Sequence, residues 1–199
     1  WVSCAIVRKL VNEGQKVAVM KPVASGCFET PEGLRNDDAL ALMRVSNLQQ
    51  PYEQVNPIAL EPAIAPHIAA RQAGVSIDLN RLSEIADHVQ ADCLIVEGVG
   101  GWNVPLDENL MVADMARALA DEVILVVGVR LGCINHALLT ADRILGDGLP
   151  LAGWIANLID PDMPVLQENL FSLENRMPVP QLATVSFNDD KGYFLQSLG

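Results

Sequence analysis

Residues 92–102 read Asp-Cys-Leu-Ile-Val-Glu-Gly-Val-Gly-Gly-Trp, and the fold is decided here. Residues 93–96 form a short apolar run, the length of a fully buried parallel strand. The run stops on Glu97, and glycines at 98, 100 and 101 let the backbone approach a ligand closely. Open α/β sheets place their ligands beyond the carboxyl ends of the strands, and this order of residues puts a carboxylate there. Glu97 therefore reads as a holder of Mg²⁺ at a phosphoryl-transfer site.

Working outward, apolar positions 2, 6, 7, 10 and 11 predict a helix over residues 2–13, closed by Gly14. Only Ser3 is near enough to cap it, so its first amide groups start without partners. Residues 16–24 are β-rich and end in Lys21-Pro22-Val23-Ala24-Ser25-Gly26. A polar loop leads to Asn36, which should cap a helix over 37–45. Residues 50–66 hold four prolines and read as an irregular connection. Helices are expected at 66–73, stopped by Gly74, and at 79–89. Beyond Trp102, a helix at 111–119 precedes a strand at 123–129 fit for burial on both faces. A helix from Gly132 to about 145, a strand at 151–156 ending at Asn157, a helix near 166–175 and a strand near 182–185 complete the pattern. Alternating strands and helices predict a mostly parallel sheet with helices on both faces, a three-layer α/β/α fold with right-handed crossovers. With no repeat and no dividing linker, residues 1–199 read as a single domain.

Composition narrows the function. Acidic residues number 25 against 13 basic, a formal net charge of -12, which argues against a nucleic-acid surface. No 18-residue apolar run suits a membrane, and no signal peptide is expected. Cys4, Cys27, Cys93 and Cys133 show no CxxC pairing. Zinc and disulfides are therefore not expected, Cys4 and Cys93 read as core residues, and the reading is cytoplasmic.

The candidate chemical groups lie at element ends. Lys21 could neutralise phosphate or carboxylate charge building up in a transition state, or be a surface lysine. Ser25 could hold a substrate or serve its turn. Asp37 and Asp38 are both explained by the dipole of their helix, yet either could join Glu97 on a metal. The backbone around Gly98, Val99 and Gly100 could receive an anion, as could Gly132, Cys133, Ile134 and Asn135 at their helix start. Asn157 could read a base or serve a turn. No HxH or HExxH spacing joins His67, His88 or His136, and no GxSxG elbow is present. Gly-x-x-x-x-Gly-Lys-Ser/Thr, the usual phosphate loop, is also missing from the 199 residues, and the uncapped first helix sits where that loop's helix should be.

Six blocks, in order, resemble the dethiobiotin synthetase family. They are Lys-Pro-Val-Ala-Ser-Gly (21–26), Thr-Pro-Glu-Gly-Leu-Arg-Asn-Asp-Asp-Ala-Leu (30–40), Pro-His-Ile-Ala-Ala (66–70) and Val-Glu-Gly-Val-Gly-Gly-Trp (96–102). Val-Gly-Val-Arg-Leu-Gly-Cys-Ile-Asn-His-Ala (127–137) and Gly-Trp-Ile-Ala-Asn (153–157) follow. The resemblance implies a P-loop NTPase-like fold, a cytoplasmic homodimer and a reaction of 7,8-diaminononanoate, CO₂ (from bicarbonate) and MgATP. One amine captures CO₂ as a carbamate, the carbamate takes the γ-phosphoryl group, and the second amine closes the ring, giving dethiobiotin, ADP and phosphate. It implies that Lys21 stabilises the carbamate and the transferring phosphoryl, and that Ser25 binds the carbamate end. Asp38, rather than Asp37, would hold Mg²⁺ with Glu97. Gly98, Val99 and Gly100 would line the diamine site, and Asn157 would read adenine. Gly132, Cys133, Ile134 and Asn135 of a second subunit would cap the substrate carboxylate.

The sequence departs from the family in three places. The family's first strand and phosphate loop have no counterpart, so a chain starting at Trp1 should neither bind ATP well nor cover its sheet. The intact protein is expected to have that loop. The resemblance thins after Phe187, with residues 188–199 following too closely, and a family tyrosine has no match around 169–171. An inactive relative acting as a dimeric binding protein is the alternative, as is another ligase or amidase of the same fold; the blocks at 21–26 and 132–137 argue against the latter.

Overall fold

The computed structural model describes residues 1–187 and the backbone of 193–194. The chain divides into two compact units, Ile6–Ala120 and Trp1–Ala5 with Asp121–Gly199. Helix α1 (Val2–Asn12) buries Val2, Ile6, Val7 and Leu10 among its expected apolar positions and leaves Val11 half-buried.

In the first unit, β1 (Val17–Met20) and β2 (Val23–Ser25) are one extended path broken at Lys21-Pro22. Proline has no N–H for a ladder and holds the residue before it out of the helical region. The path therefore changes partners at the break. The β1 strand pairs in parallel with β6 (Cys93–Val96), and β2 with β5 (Ile58–Leu60). Between β2 and β5 come a hairpin, β3 (Phe28–Thr30) with β4 (Gly33–Arg35), then α2 (Asp37–Val45) and the single turn α3 (Tyr52–Val55). Helix α4 (Pro66–Ala73) has proline in its first turn and stops on Gly74, whose φ of 65° suits a residue without Cβ. Helix α5 (Leu79–Asp87) is capped by Asp78, and α6 (Val112–Leu119) is preceded by Met111, whose N–H reaches the Asp114 carboxylate at 2.7 Å. Met20, Val23, Leu60, Ala69, Leu82, Leu106 and Met115 make one core, against which Leu94 and Val96 pack.

The second unit carries β7 (Val123–Val129), α7 (Cys133–Gly146), β8 (Leu151–Leu158), α8 (Leu166–Glu174), β9 (Gln181–Val185) and β10 (Tyr193–Phe194). Strands β7, β8 and β9 run parallel, and β10 is antiparallel to β9. Trp154, Ile155, Ala156, Leu173 and Ala183 are sealed from solvent here.

Several expectations are corrected. Residues 93–96 are half-buried rather than buried, Cys93 included, and Val126 in β7 is 42% exposed. Among the described residues β6 pairs only with β1, and β7 only with β8. An edge strand is covered on fewer sides than the interior strand its apolar composition suggests. The polar loop before Asn36 contains the β3–β4 hairpin, and the proline-rich connection holds α3 and β5. Strand β8 continues to Leu158, so Asn157 lies within it, opposite Gly128 and Val185. The thinning expected after Phe187 falls on residues 188–199, outside the described residues apart from the β10 backbone.

Candidate active site

The strand break at Lys21-Pro22 sets the site. The Lys21 N–H donates to the Val55 carbonyl at 2.7 Å, and the Lys21 carbonyl accepts from Asn56 Nδ2 at 2.7 Å. With both main-chain groups held, the side chain runs to the end of β6. Its Nζ lies 2.6 Å from Glu97 Oε1, 2.9 Å from the Gly98 carbonyl and 3.2 Å from Asp38 Oδ2. The Lys21 side chain is only 8% exposed, Glu97 23% and Asp38 58%. A buried ammonium needs such compensation, since an isolated charge out of water costs many kcal/mol.

Each carboxylate is placed by its backbone. The Glu97 N–H donates to the Met20 carbonyl at 2.8 Å, extending the β1–β6 ladder by one residue. Asp38 stands in the first turn of α2, where Asn36 Oδ1 accepts from the Asp38 and Ala39 amides at 3.0 and 3.3 Å. The two oxygens converge on one cation, and Asp38 is the first-turn acid that reaches it. Among the described residues no group of three His, Cys, Asp or Glu side chains could hold a metal. A carboxylate pair that leaves the remaining positions to phosphate oxygens and water is the usual arrangement for Mg²⁺.

Ser25 ends β2 with its Oγ buried and without a hydrogen-bond partner. Gly98 contributes a carbonyl acceptor to the site, whereas an amide donor was the expectation. Val99 packs its side chain on the core, and Gly100 turns the chain with φ of 72°, where a Cβ would lie 2.9 Å from Val104. Gly132, Cys133, Ile134, Asn135 and Asn157 belong to the second unit. Gly132 caps α7 with φ of 91°, Cys133 is buried, Ile134 is half-buried, Asn135 is exposed and Asn157 is half-buried.

Two residues in contact with this site escaped the sequence reading, Tyr52 and Asn56. The Tyr52 hydroxyl accepts from the Asn36 N–H at 2.7 Å and donates to Asn56 Oδ1 at 3.0 Å. Burial raises the Tyr52 pKa, so the hydroxyl keeps its proton and remains a donor. The one available signal was a tyrosine and an asparagine four apart between two prolines, Pro51 and Pro57.

A family model described as an AAA domain matches residues 1–192. The ATP-dependent dethiobiotin synthetase BioD of Pseudomonas aeruginosa (strain UCBPP-PA14) is 54% identical over 187 residues, covering 92% of this chain and 82% of that protein. The chain belongs to the dethiobiotin synthetase family. The dethiobiotin synthetase of Cellvibrio japonicus is 56% identical over 168 residues, covering 83% of this chain and 74% of its own length. That of Xanthomonas oryzae pv. oryzae is 46% identical over 199 residues, covering 99% and 89%. Among solved structures, the MinD cell division protein of Aquifex aeolicus superposes with a TM-score of 0.56 at 14% identity, covering 92% of this chain and 75% of that one. That likeness bears on the fold alone, and the dethiobiotin synthetase chain is a P-loop NTPase-like α/β protein. No helix among its described residues is long and apolar enough to cross a membrane.

Proposed function

We propose that this chain is an ATP-dependent dethiobiotin synthetase that joins 7,8-diaminononanoate and CO₂ while cleaving ATP to ADP and phosphate. The observation that carries the reading is the buried Lys21 ammonium held between Glu97, Asp38 and the Gly98 carbonyl. One substrate amine attacks CO₂ and loses a proton, giving a carbamate. The carbamate oxygen takes the γ-phosphoryl group and releases ADP. The second amine then attacks the carbamoyl carbon and gives up a proton, phosphate leaves, and the ureido ring closes. Lys21 lies where it can neutralise carbamate and phosphoryl oxygens, and a preorganised charge in a dry site is worth more than one in water. Ser25 Oγ, buried and unpartnered, suits the carbamate end. The backbone of Gly98, Val99 and Gly100 would line the diamine site.

Asp38 and Glu97 would hold Mg²⁺, which when bound supplies charge neutralisation to the phosphate oxygens. The fit rests on their converging oxygens. Asn157 would read adenine. Gly132, Cys133, Ile134 and Asn135 would meet the substrate carboxylate of a second subunit. Exposed leucines support the homodimer, with Leu131 at 94%, Leu139 at 61% and Leu145 at 43% on and beside α7. In this reading residues 1–199 belong to a single dethiobiotin-synthetase-like domain, and the enzyme works in the cytoplasm.

Complementation tests the proposal. The intact protein should restore growth without biotin to a bacterium lacking its own dethiobiotin synthetase, and its Lys21→Met variant should not. Equal growth with both chains would remove Lys21 from the reaction, and no growth with either expressed protein would remove the activity.

A further inference from the structure

Lys21, Asn36 and Asn56 are the buried polar or charged residues among the described ones, at 6%, 7% and 3% exposure. All three belong to one hydrogen-bonded network, and the Tyr52 hydroxyl is its centre. From Tyr52 one arm runs to the Asn36 N–H, and Asn36 Oδ1 in turn caps α2 at Asp38. The other arm runs to Asn56 Oδ1, and Asn56 Nδ2 donates to the Lys21 carbonyl at 2.7 Å and to the Ile58 carbonyl at 3.4 Å. Only one arrangement of protons satisfies this chain. A backbone N–H must donate to the hydroxyl oxygen, the hydroxyl must then donate to the amide oxygen, and the amide nitrogen must donate to the carbonyls. The Arg35 guanidinium lies 4.1 Å over the Tyr52 ring and steadies it through a cation–π contact.

We propose that the Tyr52 hydroxyl is a positioning group for this reaction. It ties the strand break that presents Lys21 to the helix start that presents Asp38, and so fixes ammonium and carboxylate relative to each other. The inference rests on the dethiobiotin synthetase reading, and it adds a role for the segment from Pro51 to Pro57. A buried polar network rigidifies its surroundings only when every member is satisfied. Cutting its centre should loosen both arms together, and small misplacements of catalytic groups carry large rate penalties.

Tyr52→Phe keeps the ring, the Arg35 stacking and the volume, and removes both hydroxyl hydrogen bonds. Three quantities are to be measured on the full chain, well below its melting temperature. They are Mn²⁺ binding with a non-hydrolysable ATP analogue by electron paramagnetic resonance, kcat, and KM for the diamine. The expected result is a kcat lowered about tenfold or more and Mn²⁺ affinity weakened about fivefold, with KM for the diamine within about twofold of wild type. A lower melting temperature with Mn²⁺ affinity and kcat unchanged would reduce Tyr52 to a fold residue and overturn the proposal. If Tyr52→Phe does not fold, Asn56→Ser takes its place. Serine keeps a hydroxyl near Tyr52 but is too short to reach the Lys21 carbonyl, and the same readouts apply. A wild-type chain that binds Mn²⁺ but makes no dethiobiotin overturns the functional reading instead, while the Mn²⁺ comparison still judges Tyr52.

Discussion

Replacing Glu97 by glutamine removes one negative charge and little volume, so the Lys21 site can be probed without cutting the core. At an effective dielectric of about 20, two unit charges about 4 Å apart attract by about 4 kcal/mol. Breaking a buried ion pair by removing one partner typically costs about 3–5 kcal/mol. Three features reduce that cost here. Glu97 keeps 23% of its side chain in solvent, Asp38 remains 3.2 Å from the ammonium, and the Gly98 carbonyl still accepts at 2.9 Å. The glutamine amide oxygen can also accept from Nζ. A loss of about 1–3 kcal/mol follows, which for a chain of this size lowers the melting temperature by about 2–12 °C. Turnover should fall about a hundredfold or more, the typical penalty for losing one electrostatic element of a transition-state site. Glu97→Asp should fall between wild type and Glu97→Gln, since it restores the charge but not the reach. Scanning calorimetry and a dethiobiotin assay at saturating Mg²⁺ make the comparison. A Glu97→Gln chain melting within about 1 °C of wild type and turning over at its rate would refute the argument that this pair is buried and catalytic.

Packing offers a second test. A Cβ at Gly153 would lie 2.5 Å from the buried Leu182 Cγ, so Gly153→Ala should cost about 1–3 kcal/mol by overpacking, read from urea midpoints. Alkaline pH is a third. Burial raises the pKa values of Cys27 and Tyr52, so above their ordinary values the folded chain keeps protons that the unfolded chain has released. Stability should fall as pH rises above about 9, more steeply above about 10, with Tyr52→Phe flattening the second part; urea midpoints independent of pH from about 8 to 11 would contradict this. Leu139→Asp should shift the size-exclusion peak of the proposed homodimer to the monomer position while leaving the circular dichroism spectrum intact, because the substituted side chain is 61% exposed.

Much of this molecule was legible where a period or a cap carries the information. The α2 helix followed from Asn36 and its two acids, α4 from Pro66 and Gly74, and β7, β8 and β9 from continuous apolar runs. The three-residue strands β2, β3, β4 and β5 were not separable, because so short a run shows no alternation and its Ser, Thr, Gly and Pro neighbours read as turn. Apolar composition alone overestimates the burial of β6 and β7, while their half-buried and exposed positions agree with the expectation of an uncovered sheet, because a strand's number of neighbours decides what it does bury. Lys21 and Glu97 could be found as polar residues at strand ends. The choice of Asp38 over Asp37 depends on helical phase, which spacing from Asn36 alone leaves open; the resemblance made that choice, and in the structure Asp38 lies 3.2 Å from the Lys21 ammonium. Tyr52 and Asn56 were missed because their partners lie 16 and 35 positions away, and hydrogen bonds at such separations have no signature in sequence.

A dethiobiotin synthetase centred on Lys21, Asp38 and Glu97 must put one bicarbonate carbon into its product, and that carbon can be followed. The intact protein is incubated with 7,8-diaminononanoate, ¹³C-bicarbonate and MgATP, and dethiobiotin and ADP are quantified by mass spectrometry. The account predicts dethiobiotin carrying one ¹³C in its ureido carbonyl, one ADP for each molecule formed, and loss of both products in Lys21→Met. ADP release without labelled dethiobiotin, or labelled dethiobiotin made equally by Lys21→Met, would contradict it.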